Sequence, residues 1–177
     1  MTVYAGLDLG GTTSLAFLNK RTPTVFQVDI SRNKRVDELT DVRERLHSLR
    51  TWLCTVCERY TAIDMLLIEE PPMVRNTKVY GLLSAYYGVA LEAVTNCKHI
   101  RQVASLKTAA WRKLIGAAVA FKRGEFEQRD REKVTKQAVI IRVEKLTDKS
   151  YDLAQHDMAD AVGLACAAKA LAQANED

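Results

Sequence analysis

The sequence predicts an α/β fold with a mixed five-stranded sheet and helices on its faces. Three short strand-like segments precede residue 31 and together indicate an antiparallel meander. The almost continuously apolar run Ile63–Glu69 is typical of a parallel strand covered on both faces. Helices alternate with strands after the meander, and three helices close the chain, so the expected order is β-β-β-α-β-α-β-α-α-α.

The predicted meander begins with the buried strand Val3–Leu9. The tight turn Gly10–Thr13 follows, and its glycines suit unusual backbone angles. Ser14–Leu18 and Thr24–Ile30 supply the second and third strands. The sheet is then expected to place the first strand centrally, with the fourth beside it.

The next segment, Asp37–Tyr60, is predicted to be a helix with Asp37 as its N-cap. Its apolar positions recur at steps of three and four residues, which puts them on one face. They are Val42, Leu46, Leu49, Leu53 and Val56.

Pro71-Pro72 ends the fourth strand, and Lys78–Val94 is predicted to be a helix rich in small residues that allow close packing. His99–Val103 is predicted to be the fifth strand. Ser105 is then expected to cap a helix that runs to about Ile115.

The remaining chain is predicted to hold a mobile loop over Gly116–Arg129 and a basic helix over Asp130–Leu146. A polar connection then leads to an alanine-dominated last helix, His156–Gln173. The length of 177 residues and the absence of repeats or linkers predict that residues 1–177 form one domain.

Composition favours a soluble, cytoplasmic protein. No apolar run approaches the roughly 20 residues of a membrane span, and no basic-then-apolar signal segment opens the chain. Cys54 and Cys57 have the spacing of a redox or zinc motif, but no second pair of ligand spacing exists. Free buried thiols are therefore expected, as in a reducing compartment.

Positive charge is concentrated in one segment. From Lys107 to Lys145 the chain carries eleven Lys or Arg against five Asp or Glu, while the whole protein has a net charge of +4. Such a segment suggests a polyanionic partner, and a solvated helix face is the alternative.

Four carboxylates stand where a metal-dependent nuclease would need them. Asp8 and Glu69 lie at the ends of predicted strands, and Asp157 and Asp160 lie three residues apart at the start of the last helix. A buried carboxylate such as Asp8 is costly unless a cation or a donor compensates it. A cluster of carboxylates on divalent cations is the usual protein half of a two-metal phosphodiester site. A structural salt bridge at Asp8 and helix capping by Asp157 are the alternatives.

These residues resemble the three active-site motifs of the RuvC Holliday junction resolvases, within the RNase H-like superfamily. The matching segments are Gly6-Leu7-Asp8-Leu9-Gly10, Ile68-Glu69-Glu70 and Asp157-Met158-Ala159-Asp160-Ala161. The helix around Asn76–Val94 is also similar to the family's helix after the catalytic glutamate. The resemblance spans nearly the whole chain in the right order.

The resemblance implies an RNase H-like three-layer α/β/α fold and a homodimer that cuts two opposed strands of a four-way DNA junction, leaving 5′-phosphates. Two Mg²⁺ or Mn²⁺ ions per active site would be held by the four carboxylates. Adjacent strand residues face opposite sides, so Glu69 is chosen over Glu70 on the resemblance. His156 and Glu70 are expected beside the metal ligands.

The resemblance also implies which cations bind DNA. Lys107, in Leu106-Lys107, and Lys133, in Glu132-Lys133, match family positions that contact backbone phosphates. The weaker candidates are Arg75, Lys113 and Lys136.

Two features depart from the family. Pro72 stands where members often carry an aromatic residue that stacks on junction bases, leaving Tyr80, Tyr86 or Tyr87 as substitutes. The loop Ala117–Gln128 is longer than usual. These differences suit a divergent bacterial or phage-encoded member that cuts branched DNA more broadly, in the cytoplasm of the bacterium or of the infected host cell.

Other functions stay open on the sequence. The segment Asp8–Thr13 also looks like the first phosphate loop of the sugar kinase, Hsp70 and actin superfamily, but 177 residues leave no room for the second lobe. A nuclease on flaps or other branched DNA, a RuvX-type RNA nuclease and a non-cleaving nucleic-acid-binding module share the predicted fold.

Overall fold

The computed structural model of the protein describes residues 2–32, 36–121 and 127–175. It contains five strands, five α-helices and a short 3-10 turn. In chain order they are β1 (Val3–Asp8), β2 (Thr12–Asn19), β3 (Thr22–Asp29), α1 (Glu38–Cys57), β4 (Met65–Glu69), α2 (Thr77–Thr95), β5 (Val103–Leu106), α3 (Thr108–Ile115), α4 (Gln128–Leu146), the turn Leu153–Gln155 and α5 (His156–Ala174).

The strands form one sheet in the order β3-β2-β1-β4-β5. The pairs β1–β2 and β2–β3 are antiparallel, whereas β1–β4 and β4–β5 are parallel. The mixed five-stranded sheet and the central place of β1 are as predicted. Leu7 pairs with Ile68, so the next residues, Asp8 and Glu69, end their strands side by side.

Helices cover both faces of this sheet, because alternate strand residues feed two separate cores. Ala5 and Leu7 pack with α1 and α2 on one face. Tyr4 and Leu67 pack with α3, α4 and α5 on the other. This is the three-layer α/β/α arrangement that the sequence predicts.

Helix α5 lies unusually close to the central strand at Gly6. A Cβ atom at Gly6 would stand 2.3 Å from the Ala161 carbonyl oxygen, 2.3 Å from the Ala165 nitrogen and 2.6 Å from the Leu164 Cβ atom. The facing part of α5 is buried and built mainly from small residues. The bare backbone of β1 and the small side chains of α5 therefore fix the distance between helix and sheet.

The fifth strand and the helix after it are placed differently from the prediction. The strand covers Val103–Leu106 rather than His99–Val103, and Ile100 forms only an isolated bridge to Ile63. Ser105 thus belongs to the strand, where it pairs with Ile68. Pairing with β4 outweighs the capping tendency of a serine, and α3 begins at Thr108 with Lys107 as its N-cap.

The other boundaries are close to the expected ones. Asp37 is the N-cap of α1, with its carboxylate accepting from the Thr40 amide at 3.0 Å. Gly116 ends α3 in the left-handed region, at φ 73°. The loop predicted over Gly116–Arg129 is shorter than expected, because α4 already begins at Gln128. Residues 122–126 of that loop lie outside the described chain.

The four cysteines are free thiols, with Cys57 and Cys166 buried and Cys54 and Cys97 half-buried. Across the described ranges, no helix combines the length and the apolar character needed to cross a bilayer.

We expect the substitution Gly6→Ala to destabilise the protein strongly. Its methyl group would overlap the backbone of α5, and overpacking of a core costs about 1–3 kcal/mol, sometimes more. Urea unfolding followed by circular dichroism measures the loss. Gly88→Ala is the matched control, because a Cβ atom placed there meets no described atom within 4 Å outside the adjoining backbone of its own helix. There alanine should stabilise helix α2 by up to about 1 kcal/mol. An equal change in the free energy of unfolding for the two variants would contradict the close approach of β1 and α5.

Candidate active site

The site begins at the adjoining ends of β1 and β4. Met65 and Leu67 face the α5 side of the sheet, so strand alternation turns Glu69 to the same side. Asp8 lies on that side by the same rule, two residues beyond Gly6. Glu70 follows the strand end, with its amide donating to the Leu106 carbonyl at 2.9 Å. The alternation thus gives a structural reason for preferring Glu69 to Glu70.

Helix α5 brings the other two carboxylates to the same place. Asp157 lies in its first turn, and Asp160 follows on the next. All four acidic residues line one cleft of about 290 Å³. Its other walls come from the β1–β2 turn, the segment after β4 and helices α2, α3 and α4, with the lining residues Leu9, Gly10, Gly11, Thr12, Glu70, Pro71, Pro72, Leu83, Arg112, Lys136 and His156.

The carboxylates act on one another electrostatically. Burial raises the pKa of Asp8 well above its usual value, and the charges of Asp160, Glu69 and Asp157 raise it further. Burial likewise raises the pKa of Asp160 to about 6, against the opposing charge of Arg112. The sequence segments that carry these acids are far apart, yet their charges share one partly desolvated region.

Three of the carboxylates already have protein partners. Glu69 accepts hydrogen bonds from the Thr108 hydroxyl at one oxygen and from Trp111 Nε1, at 3.2 Å, at the other. Asp160 Oδ2 lies 3.6 Å from Arg112 Nη2. Asp157 Oδ1 lies 3.0 Å from His156 Nε2. Helix α3 therefore holds Glu69 by two hydrogen bonds and places a cation beside Asp160.

The donor set suits a hard divalent cation, because carboxylate oxygens are the ligands that Mg²⁺ and Mn²⁺ prefer. Burial raises the pKa of both Asp8 and Asp160, and the neighbouring carboxylates raise it further. Within residues 2–32, 36–121 and 127–175, no three His, Cys, Asp or Glu side chains are arranged so that they could hold one metal ion. The four carboxylates are thus of the right residue type for a divalent cation. Several of their oxygen atoms are, however, already in contact with protein groups.

The predicted DNA-binding cations are distributed around the cleft rather than inside it. Lys136 alone among them lines the cleft, and it also lines a neighbouring groove together with Lys133. Lys107 is exposed directly before α3, and Lys113 is exposed in its last turn. Arg75 is exposed in the segment before α2.

Sequence reasoning missed the contribution of α3. Thr108, Trp111 and Arg112 are spaced so that they share one side of a helix, and all three reach the acidic residues. The spacing was visible in the sequence, but it carries this meaning only once the helix is known to begin beside Glu69. Trp111 is fully buried, and a Cβ atom at Gly163 would lie 2.8 Å from its ring. This glycine of α5 lets α3 approach.

Two solved structures share the fold along nearly the whole chain. One is Thermus thermophilus RuvC in complex with a Holliday junction substrate, with a TM-score of 0.69 and 13% identity over 98% of this chain and 96% of that one. The other is a Thermus thermophilus RuvC structure, with a TM-score of 0.69, 14% identity and the same coverage. No protein-family model and no curated protein sequence matches the chain. The protein thus has the RuvC fold with a strongly divergent sequence.

The buried charge predicts a specific dependence of stability on pH. The pKa of Asp160 is about 6 in the folded protein against an ordinary 3.8, so between these values the folded state binds more protons than the unfolded state. The free energy of unfolding should therefore fall as the pH rises through this window. With a chelator present, we expect a higher melting temperature near pH 5 than near pH 8.

The variant Asp160→Asn should flatten this dependence, because an amide does not ionise. Asp148→Asn is the control, since Asp148 forms an exposed surface pair with Arg21. If the melting temperature of Asp160→Asn changes with pH as steeply as that of the wild type, the pH dependence arises from other groups.

Proposed function

We propose that this protein is a metal-dependent DNA endonuclease that resolves four-way junctions by paired nicks. The observation that carries the proposal is the convergence of Asp8, Glu69, Asp157 and Asp160 on one cleft of a RuvC-type fold. These four side chains would hold two Mg²⁺ or Mn²⁺ ions. When bound, such ions supply a nucleophilic water at neutral pH and stabilise the leaving oxygen.

The chain's own groups have separable tasks in this proposal. Asp8 ends the central strand with a half-buried carboxylate whose pKa is raised by desolvation, so it anchors the site. Glu69 is held in one orientation by Thr108 and Trp111, which reduces the reorganisation needed when the substrate binds. His156 contacts Asp157 and orients that carboxylate.

DNA would follow the basic residues that border the cleft. Lys136 lines both the acidic cleft and the groove that holds Lys133, so it links the cutting site to a phosphate-binding track. Lys107, Lys113 and Arg75 are exposed and would contact more distant phosphates. Lysines of this kind position the nucleic acid without reading its sequence.

Two opposed strands must be cut to resolve a junction, and each chain has one acidic cleft of this kind among its described residues. We infer that a homodimer supplies the second site, since a twofold axis matches the symmetry of a four-way junction. The products would carry 5′-phosphates.

The first test is cleavage of a labelled four-way junction with and without Mg²⁺, with the cuts mapped on all four strands. Wild-type protein should cut two opposed strands only when the metal is present. Asp8→Asn should lower the rate by about 10³-fold or more, a loss of about 4 kcal/mol in transition-state stabilisation, and should leave junction binding intact.

The outcomes of this test are distinguishable. Loss of both folding and binding in Asp8→Asn would mean that Asp8 holds the fold rather than the metal. If the protein prefers to cut flaps or structured RNA, the proposed substrate is wrong and the protein is a nuclease of the same fold with another substrate. Metal-independent binding without any cutting would leave a binding module.

The second test concerns the lysines. Lys107→Ala and Lys133→Ala should weaken junction binding equally on all sequences. Each should also lower the slope of log K against log salt by about one, since each removes one phosphate contact. Fluorescence anisotropy over a salt series measures both effects. Arg43→Ala, at an exposed position of α1, is the control, and a loss confined to one DNA sequence would contradict a phosphate-binding role.

A further inference from the structure

Arg112 is a positive charge placed among the carboxylates. It projects from α3 into the cleft, its side chain is only 18% exposed, and its Nη2 atom lies 3.6 Å from Asp160 Oδ2. Its charge acts on Asp8 as well as on Asp160. The guanidinium thus serves as a counter-ion for the cluster.

The contact between Arg112 and Asp160 is loose. A charge-assisted hydrogen bond joins its heavy atoms at about 2.7–2.9 Å, so 3.6 Å is an ion pair without a hydrogen bond. In addition, the Nε atom of Arg112 is buried and has no hydrogen-bond partner among the described residues. A buried donor left unpaired costs free energy that a firmly fixed arginine would not incur.

Another arginine of the same protein shows what a fixed contact looks like. Arg45 Nη1 lies 3.2 Å from Asp41 Oδ2, and Arg45 Nε donates to the Ile30 carbonyl at 2.5 Å. The first contact lies within α1, and the second ties α1 to the residue that follows β3. Arg112 instead combines its loose ion pair with the face of Trp111, whose ring centre lies 5.1 Å from the guanidinium carbon.

We propose that Arg112 is a resident counter-ion which a divalent cation displaces from Asp160 when the site is loaded. One guanidinium carries one positive charge against four carboxylates, and its contact with Asp160 is too long for a hydrogen bond. A divalent cation brings two charges and direct oxygen coordination to the same groups. This inference rests on the proposed metal-dependent function, and it assigns Arg112 the role of a positioning residue that competes with the metal.

The first experiment measures Mn²⁺ binding to the DNA-free protein by titration calorimetry. Arg112→Met removes the charge and keeps much of the side-chain volume, so the Kd for Mn²⁺ should fall by about tenfold. Without metal, the variant should melt at a lower temperature than wild type, and Mn²⁺ should raise its melting temperature by more. Arg112→Lys keeps the charge and should bind Mn²⁺ nearly as wild type does. Arg43→Met makes the same substitution on the surface of α1 and should change neither quantity.

A second experiment uses the wild-type chain and so does not depend on the folding of a variant. Phenylglyoxal modifies accessible guanidinium groups, and mass spectrometry locates the modified residue. Mn²⁺ should increase modification of Arg112 and leave that of Arg43 unchanged, because displacement frees the Arg112 side chain.

The results separate the two proposals. If the wild type binds Mn²⁺ and Arg112→Met binds it equally or more weakly, then Mn²⁺ does not displace Arg112. The proposed function would still stand in that case. Unchanged or reduced labelling of Arg112 in the presence of Mn²⁺ would also contradict the displacement. Absence of Mn²⁺ binding by wild type would overturn both proposals.

Discussion

The contact between β1 and α5 at Gly6 is the constraint on which the rest of this structure depends. The strand offers bare backbone at that point, and α5 offers small residues, so the two elements come closer than side chains would otherwise allow. Asp8 lies two residues beyond the contact, and Asp160 lies one residue before Ala161, whose carbonyl forms part of it. Tight packing thus determines how near these two carboxylates stand.

That nearness has an electrostatic cost, which the fold offsets locally. Bringing acids together in a partly desolvated cleft disfavours their charged forms. Helix α3 supplies three compensating groups, namely two hydrogen-bond donors to Glu69 and one cation beside Asp160. Gly163 leaves space for the Trp111 ring. The position of α3, and with it the three compensating groups, therefore depends on a second glycine contact. Packing and charge therefore depend on each other here.

The sequence revealed the parts of the fold and site that follow from local patterns. The three short segments before residue 31 and the apolar run Ile63–Glu69 predicted a mixed five-stranded sheet with β1 central and β4 beside it. The four acids were singled out because each lies at the end or the start of a regular element. The fifth strand was misplaced, because the half-buried residues Val103–Leu106 have little apolar pattern and pair only through β4.

The role of Arg112 could not be read from the sequence, because its significance comes from a partner 48 residues away. A basic segment predicts affinity for a polyanion, but it does not reveal which of its cations turns inward. Lys136 illustrates the same limit, since its position between two grooves depends on how α4 lies against the cleft. Long-range geometry of this kind is absent from periodicity and composition.

The crowded contact between β1 and α5 also bears on which parts of the chain tolerate amino-acid replacement. A seam without spare volume is destabilised by most amino-acid replacements that add side-chain atoms. The exposed residues of α4 and of the segment after β4 lie outside that seam, where a replacement meets fewer neighbouring atoms. Surface chemistry can therefore vary on these outer elements, while the packing of β1 against α5 has to be kept for the fold to form.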